Sequence, residues 1–431
     1  MPNPRAVGAQ TQINRRVAPD VPQTLRAMEL PEGMLLDIAL RYLRERGAGS
    51  MNLLRKALRV SFGVAEELFQ QLKRQQFIDV KSSVGQDFAF SLTSAGRELA
   101  AEKATVCRYA GPAPVPLEQY SRVVQSQRLA LRPTEGELRD AFADLVISQE
   151  TVTELGVALT SGKPMFLYGP SGNGKTSVIE RLSRLMTDTI LVPHCVEVDG
   201  HIISVFDPTS HAPMAGEPDE GLDQRWVRCH RPTVISGGEL TTDSISLRLD
   251  ETTGVYAAPL QMKASNGIFA IDDFGRQAMS PKELFNRWIM PLDRRIDHLS
   301  LQYGYMFRLP FEVVLVFSTN LKPADLADEA FYRRVPNKVY LGPVSPEAFD
   351  AITFQAFVPH GVIATDEIAG TLRALCAQNG LRELRGCYPG DICSILASIA
   401  AYERKAFSAS PERLAEAVHI YFTQDEGYSG G

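Results

Sequence analysis

The chain has little of what marks a secreted or membrane-spanning protein. Its 431 residues include only 6 cysteines, none in C-x-x-C spacing, so reduced thiols used for packing are expected rather than a disulfide framework. No apolar run approaches the roughly 20 residues that cross a bilayer, so no membrane span is expected. The polar stretch from Met1 to Arg26 lacks an apolar signal core, which makes the cytoplasm the expected compartment. Excess positive charge is missing too. With 45 Lys plus Arg against 51 Asp plus Glu the formal net charge is -6, which excludes the uniformly basic surface of a general nucleic-acid binder. What remains is globular composition, 44% hydrophobic and 22% charged, in a chain long enough for two or three domains at about 150 residues each. The pairs His194-Cys195 and Cys229-His230 hold the residue types of a zinc site, but adjacent ligands make poor tetrahedral geometry.

Periodicity divides the chain. Residues 1–30 and 426–431 carry no sustained pattern and are expected to be disordered tails. Between 31 and 104, three helical stripes are followed by alternating Phe77 to Lys81 and Asp87 to Leu92, with Ser61 placed to cap the third helix. Three helices and a hairpin predict a winged helix. Its third helix carries Glu66 and Glu67, and residues 31–103 hold 11 basic against 9 acidic side chains, so docking to protein is favoured over reading DNA. Residues 105–129, with Pro112, Pro114 and Pro116 at alternate positions, predict a stiff extended linker. Residues 130–342 then alternate strand and helix patterns, and 343–425 read as helices alone.

The strongest chemical signal is Gly169-Pro170-Ser171-Gly172-Asn173-Gly174-Lys175-Thr176, a complete G-x-x-x-x-G-K-T. An apolar strand, Met165 to Tyr168, leads in, and an amphipathic helix starting with Ser177 leads out. Glycines let successive N–H groups and the helix N-terminus face phosphate oxygens, Lys175 neutralises the terminal phosphates, and the Thr176 hydroxyl suits Mg²⁺. About one hundred residues on, Gly267-Ile268-Phe269-Ala270-Ile271 ends in Asp272-Asp273. A buried strand holding a carboxylate beside the phosphate loop is what a Mg²⁺ site needs: Asp272 is the candidate ligand and Asp273 the candidate base for an attacking water. The expected ligands are therefore the phosphates of a nucleotide and Mg²⁺.

In these segments the sequence resembles the AAA+ ATPases, from about residue 130 to 422. Val314 to Asn320 resembles that family's sensor-1 strand, with Asn320 as the polar tip, and Asp328 to Val335 resembles its arginine-finger segment, with Arg334, or Arg333 as the alternative, reaching a neighbouring subunit's site. A hairpin over Ile296 to Leu309, turning at Tyr303 and Tyr305, is similar to that of the branch containing the MoxR-type ATPases and the bacterial enhancer-binding activators. The resemblance implies an α/β P-loop NTPase with a parallel sheet core, a C-terminal helical lid and an N-terminal winged-helix domain. It also implies ATP hydrolysis in a homo-oligomeric ring, a hexamer, that remodels or moves a protein partner. Val192 to Asn266 corresponds to that branch's substrate-touching insertion, where Arg225, Arg228 and Arg231, beside the acidic stretch Glu217 to Asp223, are expected to form a solvated, self-paired face, with a surface for an acidic partner or nucleic acid as the alternative. The activators' Gly-Ala-Phe-Thr-Gly-Ala loop is absent, which counts against contact with RNA polymerase.

Two departures bear on mechanism. AAA+ proteins usually carry Glu after the magnesium carboxylate, and here it is Asp273, one methylene shorter. The lid's usual Pro-Arg-Asp reads Pro389-Gly390-Asp391, so either Arg385 substitutes from the previous turn or the lid responds weakly to nucleotide. A DNA-associated regulator or translocase and a slow nucleotide-gated assembly switch are the alternative readings.

Overall fold

The computed structural model describes residues 18–84, 87–216, 221–326, 329–379 and 383–422. The ends expected to be disordered at 1–17 and 426–431, and Asp328 of the expected finger segment, lie outside them. The fold is α/β. Its central sheet runs 233–236, 268–271, 314–319, 165–168, 337–340 in order, and Met165–Tyr168 pairs in parallel with both Val314–Thr319 and Asn337–Tyr340. Ile268–Ile271 and Val314–Thr319 are buried along their whole length, as continuous apolar runs in a parallel sheet should be.

The chain divides into two compact units. The first comprises residues 1–130, 186–270 and 277–315. It opens with helices Met34–Arg46, Met51–Leu58 and Phe62–Arg74, a three-stranded sheet ordered 48–50, 87–92, 78–84, and helix Ser94–Val106. Ser61 caps the third helix through Val64 N at 3.3 Å. Part of the expected tail is ordered: Met28 is buried, and Leu25 N donates to Glu67 Oε2 at 2.7 Å. Scattered anchors such as Leu25 and Met28 have no period for a sequence reading to detect.

The segment expected as an extended linker differs more. Val115–Pro116 pairs in parallel with Cys195–Val198, and Leu117–Ser126 is a helix that buries Tyr120, Val123 and Val124. Prolines at alternate positions suit a short edge strand as well as an extended connector, because one strand face needs no donors. Residues 189–263 add further strands, so the expected insertion is β-rich and its core includes Val115, Ile203, Trp226 and Tyr256.

Two of the three arginines expected at the surface of this stretch are internal braces. Arg225 is 1% exposed, grips both carboxylate oxygens of Asp223 at 2.7–3.1 Å, and donates to the Pro114 carbonyl at 3.0 Å. Arg231 holds Asp188 at 2.6 and 2.7 Å and donates to the carbonyls of Gln127 and Asn266. A guanidinium offers five donors in a fixed fork, and the fold uses them to tie strands together.

His194 packs against Phe206, ring centroids 5.5 Å apart, and burial together with the positive charge of Arg59 holds its imidazole down at about 4. An unfolded histidine takes its proton near pH 6.5, so between about 6.5 and 4 the unfolded chain binds a proton that the folded one refuses. Stability from this group is therefore present above pH 6.5 and lost as pH falls toward 4, with a slope of at most about 1.4 kcal/mol per pH unit. The two tryptophans, Trp226 and Trp288, both lie in this unit, so their fluorescence in urea titrations at pH 7.5 and 5 reads it. His194→Gln should flatten the difference; an equally steep loss in the variant would contradict the assignment.

The second unit comprises residues 131–185, 271–276 and 316–431. Phe166, Phe274, Phe317 and Phe331 pack in its core as tilted and edge-on ring pairs at centroid distances of 5.1–6.3 Å. Helices Pro346–Phe357, Asp366–Asn379, Tyr388–Glu403 and Pro411–Tyr421 close on their own core around Phe349, Leu372, Ile392 and Leu414.

Candidate functional site

The site lies in the second unit, at the carboxyl end of Met165–Tyr168. There the chain turns through residues 169–174 into the helix Lys175–Leu182. The turn is possible only with glycine at two points. Gly169 has φ 143°, and a Cβ on it would run into the Leu341 carbonyl; Gly172 has φ 84°, and its Cβ would meet the Cys387 thiol. The first-turn N–H groups of the helix have no intrahelical acceptor, and with the helix dipole they favour an anion.

Lys175 is the hub. Its Nζ donates to the carbonyls of Gly169 and Pro170, both at 2.9 Å, and to Asn320 Oδ1 at 2.6 Å. Burial lowers its proton affinity, the nearby Asp272 and Asp273 raise it, and Arg385 lowers it again. Asn320, at the end of Val314–Thr319, turns its Nδ2 to Asp273 Oδ1 at 3.2 Å. Asp272 uses one oxygen to accept from Asp273 N at 3.0 Å and the other to accept from Thr176 Oγ1 at 2.6 Å. Asp273 adopts φ 50°, a left-handed conformation that aspartate tolerates better than most residues.

These residues line one cleft of 650 Å³: Ser171 to Ser177, Asp272, Asp273 and Asn320 all face it. The loop's first two residues, Gly169 and Pro170, contribute carbonyls to Lys175, and Gly169 N donates to Thr319 O at 3.2 Å. Arg333 and Arg334 do not belong to the lining; Arg333 is exposed and Arg334 half-buried after the short helix Glu329–Tyr332.

Sequence reading missed the other wall. Leu145, Val146 and Ile147 line the cleft together with Val344, Ile352 and Ala356, and no motif announces them. The neighbouring Asp144 is clamped by Arg184 at 2.6 Å and Arg181 at 3.1 Å, which holds its carboxyl well below the usual carboxylate range. That clamp ties residues 144–147 to the helix that starts at Lys175. A hydroxyl and a carboxylate oxygen 2.6 Å apart are hard donors suited to Mg²⁺, which takes one or two protein ligands and completes its shell with phosphate and water. Among the described residues no cluster of three or more His, Cys, Asp or Glu is placed to hold a metal, and the His194-Cys195 and Cys229-His230 pairs do not form one.

In the first unit, the hairpin of Ile296–Ser300 and Met306–Pro310 forms as expected. Tyr303 at its tip is 55% exposed, stacks on His201 at 5.1 Å and donates to Asp199 Oδ2 at 2.5 Å, so its own layer holds it in place. Among the described residues no helix is long and apolar enough to cross a membrane.

A family model described as a domain of unknown function, DUF8689, matches residues 345–420, the four-helix segment. No curated protein matches the chain. Among solved structures, the Thermotoga maritima RuvB Holliday junction branch migration motor is similar at 13% identity and TM-score 0.38, covering 66% of this chain and 73% of that one. Two variants of the same RuvB are similar at 14% and 12% identity, both with TM-score 0.40, covering 66% and 69% of this chain and 73% of theirs.

Proposed function

We propose that this chain is an AAA+ ATPase that binds ATP with Mg²⁺ through residues 169–177, hydrolyses it in a homo-oligomeric ring, and uses the energy to remodel or move a protein partner. The observation that carries the reading is the joining of separate segments at one sheet end: Thr176 to Asp272, and Lys175 through Asn320 to Asp273, all within hydrogen-bond distance. Thr176 and Asp272 would hold the Mg²⁺, which when bound neutralises charge on the phosphates.

The roles of this chain's own groups follow from their chemistry. The loop N–H groups orient the phosphates, and Lys175 exchanges a backbone carbonyl for a phosphate oxygen. Asn320 holds Asp273, whose carboxylate accepts the proton of the attacking water as the terminal P–O bond breaks and ADP leaves. Arg334, or Arg333, would stabilise that transition state in a neighbouring subunit; their place outside their own chain's cleft supports action in trans.

The opening helices and hairpin, with 48–50 as a third strand, support a winged-helix domain at 31–104. Glu66 and Glu67 are exposed on its third helix, and Glu67 is already bonded to Leu25, which favours protein over DNA as its target. The test is phosphate release by the full chain together with light scattering with and without ATP. Mg²⁺-dependent turnover and ATP-promoted assembly are expected; a monomer without turnover at saturating ATP contradicts the reading.

A further inference from the structure

A pocket of 380 Å³ opens in the first unit, which holds none of the phosphate-loop residues. Hydrogen bonds fix the backbone around it. Strand Trp226–His230 pairs antiparallel with Thr189–Pro193, and on its other edge Cys229 bridges to Pro213 while Met214 N donates to the Arg228 carbonyl at 2.9 Å. Phe206, Pro213, Met214 and Trp226 give the pocket apolar walls, and Arg59 and His194 bring polar groups to it. Its volume lies at the small end of the roughly 300–1,000 Å³ of ligand pockets, so it suits a compact occupant.

The polar groups of this pocket are not used by the fold. Arg59 ends the helix Met51–Leu58 at φ 56° and is exposed, and its guanidinium makes no hydrogen bond or ion pair among the described residues. Its field nevertheless reaches the pocket, because its charge helps to keep the His194 imidazole neutral at pH 7. Neither ring nitrogen of His194 has a hydrogen-bond partner among the described residues, so the ring offers one donor and one acceptor without charge. Trp226 is 3% exposed, and its Nε1 has no acceptor among the described residues, the kind of unmet donor that native folds rarely leave without a purpose. Arg228, the other cation of the lining, has contacts of its own. No carboxylate belongs to the described lining, and the nearby Asp223 is already held by Arg225.

We propose that this pocket binds a carboxylate with a compact aromatic or branched apolar body, the carboxylate on Arg59 and the body against Phe206, Met214 and Trp226. The guanidinium fork matches the two oxygens of a carboxylate. One unpaired guanidinium suits one negative charge, whereas a phosphate monoester brings nearly two and would leave part of its charge uncompensated among apolar walls. Such an occupant touches the opening helices through Arg59 and the β-rich stretch through everything else, which makes the pocket a seat for an effector. The assignment does not depend on the nucleotide reading of the other unit.

The test is calorimetric titration of the full chain, without nucleotide, with 3-phenylpropanoate and with its uncharged amide, and tryptophan emission serves as a second readout because Trp226 is in the wall. Wild type should bind the carboxylate saturably and about tenfold more tightly than the amide. Arg59→Asn tolerates the left-handed backbone and disturbs no buried side chain. It should bring the carboxylate to within about twofold of the amide and leave the amide unchanged, which also shows that the pocket is intact. A hexapeptide ending in a free phenylalanine carboxylate is the third probe: tighter binding than the small acid assigns the carboxylate to a polypeptide end, and weaker binding assigns it to a free small acid. No saturable binding by wild type, equal affinity for acid and amide, or a preference for the acid that persists in Arg59→Asn overturns the proposal. A chain that binds the acid but no nucleotide upholds this assignment while the nucleotide reading fails.

Discussion

Lys175→Ala should abolish measurable turnover and weaken Mg²⁺-ATP binding by about 100-fold or more, roughly 2.7 kcal/mol. The magnitude follows from the position of the ammonium. It is 7% exposed and held by two loop carbonyls and Asn320, so a phosphate oxygen replacing one carbonyl meets a pre-positioned charge away from bulk water. Alanine also removes the hydrogen-bond partner of the Gly169 and Pro170 carbonyls and of Asn320, whose Nδ2 donates to Asp273. Fluorescence titration with a labelled ATP and a phosphate-release assay check both parts. Wild-type affinity in the variant would mean that the loop does not cradle a triphosphate.

Asp273→Asn acts on a different step. The amide keeps the size of the side chain but cannot take a proton, so turnover should drop by at least about 100-fold, while ATP affinity stays within about threefold. Asparagine also tolerates the left-handed backbone at φ 50°, which makes it a cleaner probe than glutamate there. Single-turnover measurements at saturating ATP decide the matter. Equal turnover in wild type and variant would remove Asp273 from the chemistry, and negligible turnover in both would favour a slow nucleotide-gated switch. The variant has a second use, since a ring stalled with ATP should retain its protein partner for identification.

The parts of the site that were legible in the sequence are those that local chemistry dictates. Three positive-φ glycines and a Lys-Thr pair between an apolar strand and an amphipathic helix leave few structural options, and Met165–Tyr168 and Lys175–Leu182 form at the expected positions. The carboxylates after Ile268–Ile271 and Asn320 after Val314–Thr319 were legible for a related reason: continuous apolar runs that end in a polar residue mark the carboxyl edge of a buried parallel sheet.

What escaped depends on distant partners. Leu145, Val146 and Ile147 form a cleft wall only because Asp144 meets Arg181 and Arg184, some forty residues on. Arg225 and Arg231 read as surface charge because their acceptors, such as the Pro114 and Asn266 carbonyls, are backbone atoms that carry no residue-type signal. The proline-rich stretch misled in the same way. Nothing within 105–129 announces the partner strand Cys195–Val198, which turns Val115–Pro116 from a connector into part of a sheet.

The most direct test of the central claim is calorimetric titration of the wild-type chain with ATP, with and without Mg²⁺. Binding of one nucleotide per chain, strengthened by Mg²⁺ and lost in Thr176→Val with Asp272→Ala, is the predicted result. Absence of any nucleotide binding, or binding indifferent both to Mg²⁺ and to those two side chains, would contradict it.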